Sequence, residues 1–87
     1  MARMDMADMA SMAEARPSAE RFFELGMMYS TGDEADADLV AAHKWFNLAA
    51  ANGVAEASMY RQEIAREMSA EEVAAAQRAA REWLNRH

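Results

Sequence analysis

The chain has 87 residues, a net charge of −6 and no cysteine. A chain of this length forms one small domain that buries only about 60% of its unfolded surface, so its stability margin is modest unless it associates with itself or a partner. Without thiols there is no disulfide, thiolate nucleophile or cysteine-based zinc site, and an acidic chain whose nine Lys and Arg are scattered argues against nucleic acid and membrane surfaces as partners.

Residues 1–17 differ in composition from the rest. Met1, Met4, Met6, Met9 and Met12 fall among alanines and acidic residues at spacings that hold no single helical face, and Pro17 biases Arg16 away from the helical region. The segment reads as a flexible Met-rich arm, either a frayed tail or a set of adaptable side chains that dock on a partner or on the domain's own groove. Asp5, Asp8 and Glu14 interrupt any apolar core of a secretory signal, and no run approaches the roughly 18 to 20 apolar residues that span a bilayer. The cytoplasm is the expected location.

The second region, 18–87, predicts four helices. Ser18 caps the first, which runs to about Ser30 with Phe22, Phe23, Gly26, Met27 and Tyr29 as apolar positions. Gly32 ends it. An acidic loop follows, in which Asp36 or Asp38 accepts hydrogen bonds from the free amides of the next helix. That second helix runs from about Leu39 to Asn52, with Leu39, Ala42, Trp45, Phe46 and Ala49 inward, and Asn52-Gly53 is its stop. A third helix spans about Ala55 to Met68, with Met59, Tyr60, Ile64 and Met68 as its apolar face. Ser69 and Glu72 form a capping box for a fourth helix with a stripe of Val73, Ala76, Ala80, Trp83 and Leu84.

Within the first pair of helices the spacing is specific. Leu25-Gly26, Tyr29, Gly32, Asp38, Ala42, Trp45-Phe46, Ala49-Ala50 and Gly53 stand in one ungapped register. Small residues at Gly26, Ala42, Ala49 and Ala50 suit a close helix crossing, and Tyr29, Trp45 and Phe46 are large enough to fill the space beside it. This pattern resembles the Sel-1-like repeat, a relative of the tetratricopeptide repeat. The resemblance implies an all-α right-handed superhelix of antiparallel hairpins, with Tyr29, Trp45 and Phe46 in the hairpin interior and a role in binding other proteins rather than in catalysis. The chain departs from the family pattern at Glu34 and Ala35, where a glycine and a valine are usual.

The repeat restarts only in part. Eight residues beyond Gly53, where a second Leu-Gly would belong, stand Arg61 and Gln62. The second pair of helices therefore reads as an atypical capping hairpin, covering the apolar face that a helical repeat leaves open and turning Arg78, Arg81, Glu82 and Arg86 outward. Its Met-Ser-Ala-Glu-Glu-Val opening and Ala-Gln-Arg-Ala-Ala-Arg-Glu-Trp continuation also resemble the ends of some small bacterial Sel-1-like proteins.

Chemistry finds little support. Glu34, Asp36 and Asp38 alternate like calcium ligands of an EF-hand, but the required glycine is Leu39 and the closing carboxylate position is Trp45. His43 reads as a surface or boundary residue, with no recognisable nucleophile beside it. The expectation is no catalytic residue, no cofactor and no metal. Function is expected in a protein–protein interaction through the groove between helical layers, with Phe23, Met27, Met28 and Trp83 as candidate contacts. Trp83 either closes the core or stays partly open as an interface anchor. The alternative is a homo-oligomeric structural protein whose exposed repeat face pairs with itself.

Overall fold

A computed structural model of the protein describes residues 18–32 and 36–86. The expected Met-rich arm and the loop positions Glu34 and Ala35 lie outside the described residues. Within them the chain is all-α: α1 (Ala19–Thr31), α2 (Leu39–Ala51), α3 (Glu56–Ala65) and α4 (Ala70–Arg86).

The ends of these helices follow from local chemistry. The Ser18 hydroxyl accepts from the Arg21 amide at 3.2 Å, and Gly32, at φ 68°, donates its amide to the Met28 carbonyl; only glycine adopts this left-handed turn without steric cost. Of the two acidic candidates for the α2 cap it is Asp38 whose carboxylate accepts from the Ala41 amide, at 3.0 Å. The Asp38 amide in turn donates to the Tyr29 carbonyl at 2.9 Å, which ties the entry of α2 to the exit of α1. The capping box forms as the sequence predicts: the Glu72 amide donates to the Ser69 hydroxyl at 3.1 Å, and the Ser69 amide donates to the Glu72 carboxylate at 2.8 Å.

Helix α3 is shorter than expected. Instead of continuing to Met68, the amides of Arg66, Glu67 and Met68 donate to the carbonyls three residues back, Glu63, Ile64 and Ala65. Such three-residue bonds tighten a final turn and satisfy the carbonyls a helix end leaves free.

Two consecutive aromatic doublets organise the core. Successive helical residues point about 100° apart, so Phe22-Phe23 on α1 and Trp45-Phe46 on α2 each contribute one ring to either side of the hairpin. On one side Phe22 stacks on Trp45 (ring centroids 5.8 Å), and Trp83 of α4 meets both edge-on at 5.1 and 6.1 Å. On the other, Phe23 and Phe46 lie 5.8 Å apart, and Tyr60 of α3 closes the group at 5.4 and 5.6 Å. Aromatic pairs at these separations contribute about 0.5 to 1.5 kcal/mol each beyond their area burial. Buried Phe22, Leu48 and Phe46 are packed among Ala42, Ala49, Ala57 and Ala80. The small residues let the helices approach, and the rings fill what remains.

Gly26 is where this approach is closest. A β-carbon placed there would lie 2.5 and 2.6 Å from two carbons of the Phe46 ring, so the ring occupies the volume that any other residue would need.

Helix α2 packs against each of the other three helices, whereas α3 and α4, consecutive in sequence, make few close backbone approaches to one another. At the second Leu-Gly place stands Gln62, a residue with a full side chain in place of the glycine that seats Phe46 in the first hairpin. The first pair of helices closes tightly; the second stays parted over α2.

Candidate functional site

Three apolar side chains that the sequence places inward, or on the apolar faces of their helices, are instead open, Tyr29, Met59 and Leu84, and the candidate contact Met28 is open as well. Tyr29 corrects the expectation of a ring inside the hairpin, since it is 41% exposed. The reason is geometric. Tyr60 and Trp83 reach α1 at Phe23 and Phe22, so the last turn of α1, where Met28 and Tyr29 stand, has α2 beside it and no ring from α3 or α4 above it. Met59 precedes Tyr60 on α3 and points away from the core that Tyr60 enters. Leu84 likewise falls off the stripe formed by Val73, Ala76, Ala80 and Trp83.

Among the candidate contacts, Phe23 and Met27 are half-buried against the core, Met28 is 48% exposed, and Trp83 has the packing of a ring that closes the core. Of the signature positions, Gly26, Ala42, Phe46 and Ala49 are buried, Leu25, Gly32, Trp45 and Ala50 are half-buried, and Asp38 and Gly53 are exposed. Gly53 has φ 109° and open space around its α-carbon, so its place is fixed by backbone conformation rather than by packing.

The parted second hairpin forms a polar cleft of about 310 Å3. Arg61, Gln62 and Ala65 of α3 make one wall, Gln77 of α4 the other, and His43 and Asn47 of α2 the floor. Arg61 is held in place: its Nη1 donates to the Asn47 side-chain carbonyl at 2.6 Å and its Nη2 to the Ser58 hydroxyl at 3.2 Å. No carboxylate of the described residues pairs with it.

His43 corrects the expectation of a surface or boundary residue. It is 4% exposed, and its Nδ1 is buried without a hydrogen-bond partner. Burial first, and the Arg61 guanidinium next, hold the imidazole below its ordinary value. Next to it, the Lys44 ammonium lies 4.1 Å over the Trp45 ring, while partial burial and then Arg86 lower its affinity for the proton.

The His43 shift fixes a direction for stability against pH. In the unfolded chain the ring takes up a proton near pH 6.5, whereas in the fold it resists protonation to lower pH. Between those two values the unfolded chain binds more protons, so stability is full above about pH 7 and falls as the solution is acidified, before the carboxylates titrate. The fall in Tm between about pH 7.5 and pH 5.5 is expected to be larger in the parent than in a His43→Leu variant. Equal losses in the two would show that His43 is not buried neutral.

Among the described residues, no group of three or more His, Asp or Glu is arranged to hold a metal ion, and no helix is long and apolar enough to cross a membrane. Compared with protein-family models, with curated proteins and with solved structures, the chain shows no match.

Proposed function

We propose that the protein is a small non-enzymatic interaction module, a scaffold or adaptor of the cytoplasm, in which a Sel-1-like hairpin formed by α1 and α2 is capped by α3 and α4 and binds another protein through apolar side chains left open on its helices. The observation that carries this reading is the seat of Phe46 on Gly26. It gives the Leu-Gly and Trp-Phe pairs of the repeat-like pattern a shared physical purpose, the close crossing of two helices. A packing role for both pairs leaves the exposed apolar groups of the same helices, Met28 above all, as the surface free for recognition. Methionine suits such a surface because its side chain adapts to varied partners.

Affinity capture from the source cell tests the reading. The parent protein is expected to retain a specific partner that Met28→Glu loses while keeping its melting temperature. The same proteins captured by parent and variant alike would contradict it. The rival reading, a homo-oligomer that pairs through its own exposed face, draws on the same open side chains, and the oligomeric state in solution decides between the two.

A further inference from the structure

We infer that the cleft between α3 and α4 is a binding site for a small carboxylate, with Arg61 as its anchor. The inference is independent of the partner-binding reading, because the cleft and the exposed apolar side chains are separate features.

Charge is the first argument. Among the described residues that line the cleft, Arg61 is the one that is permanently charged; its neighbours there are His43, Asn47, Gln62, Ala65 and Gln77. Fifteen Asp and Glu against nine Lys and Arg make this an acidic chain, yet the arginine is held by two neutral acceptors, Asn47 and Ser58. A guanidinium has five N–H donors in a rigid fork. Two bonds fix its orientation, and the remaining donors have no acceptor among the described residues. Ordering so long a side chain costs conformational entropy, and that cost is met before a ligand arrives, which favours binding.

The second argument concerns which anion fits. A planar fork matches a carboxylate in two parallel hydrogen bonds. One positive charge among neutral walls balances a monoanion, whereas a phosphate dianion would remain half uncompensated. Burial and the neighbouring Arg61 disfavour protonation of His43 on the floor of the cleft, so it adds no second full charge there. The amides of Gln62 and Gln77 can both donate and accept, which suits an amide or hydroxyl next to the carboxylate. At about 310 Å3 the cleft stands at the lower end of the range for ligand sites, which begins near 300 Å3, and so admits a small acid.

The test uses N-acetylalanine, a carboxylate beside an amide, with inorganic phosphate as the competing probe at constant ionic strength. Both are titrated into the full chain while NMR reads the His43 ring and the backbone amides of Asn47, Arg61 and Gln77. N-acetylalanine is expected to shift these signals saturably, and at saturation to move the His43 titration to higher pH, because the bound carboxylate offsets Arg61. Arg61→Met is expected to weaken binding by about tenfold or more, the loss of a charge-assisted hydrogen bond. Gln62→Glu places a negative charge on the cleft wall from an exposed position outside the core, and is expected to weaken binding similarly even if Arg61→Met fails to fold. No saturable response to N-acetylalanine, undiminished binding in Gln62→Glu, or tighter binding of phosphate would overturn the proposal.

Discussion

Gly26→Leu is expected to abolish the cooperative thermal transition of this protein. The α-carbon of Gly26 faces the Phe46 ring, and a β-carbon there would stand 2.5 Å from the nearest ring carbon. Phe46 is fully buried and is itself in contact with Phe23 and Tyr60, so it cannot swing away without breaking that aromatic group. Overpacking a well-filled core costs about 1 to 3 kcal/mol for a modest insertion, and an isobutyl group at a backbone crossing exceeds that. Even Gly26→Ala is expected to lower stability, since the intrinsic preference of a helix for alanine, about 1 kcal/mol, is smaller than the clash. In a domain of this size each kcal/mol lowers Tm by about 4 to 8 °C. Placing Gly26→Ala in a Phe46→Leu background should reduce the penalty, because the shorter side chain vacates the volume in dispute. A Gly26→Leu protein that melts at the parent temperature would show that α1 and α2 do not cross there.

Trp83→Ala is expected to have the next largest effect, about 3 kcal/mol, near the lower end of the range for removing a large core aromatic. Trp83 is half-buried rather than enclosed, which argues for the lower end. It meets Phe22 and Trp45 edge-on, and α4 has no other aromatic ring with which to hold α1 and α2. Losing it removes two ring contacts and opens the side of Phe22, itself almost wholly buried. Trp83→Phe should recover part of the loss by keeping an edge-on contact, measured as Tm and as the midpoint of urea unfolding. A Trp83→Ala protein as stable as the parent would mean that the ring stands outside the core and would return it to the role of a partner anchor.

What could be read in the sequence divides along a physical line. Helix starts and stops at Ser18, Gly32, Asp38 and Ser69 depend on neighbours three or four residues away, and the close crossing at Gly26 is marked by a glycine and rings in one register. The cleft is of another kind. Asn47 and Arg61 are fourteen residues apart and meet only because α3 folds back over α2, and His43 is buried only because α3 and α4 both lie on α2. The nearest available signal was the Arg61-Gln62 pair where a second Leu-Gly was expected: a long charged side chain and a polar one in place of a close-packing pair mean that two helices stand apart. Tyr29 departs from its expected place for the converse reason. Its spacing puts it on the inward face of α1, but whether that face is covered depends on how far α3 and α4 extend along it.

The central claim is that a small hairpin-based domain keeps its exposed apolar surface for another protein. Light scattering coupled to size-exclusion chromatography, across a wide range of protein concentration, tests it most directly. The account predicts a monomer throughout, unchanged by Met28→Glu. A stable dimer that Met28→Glu dissociates would contradict it and establish instead that the same surface pairs with a second copy of the chain.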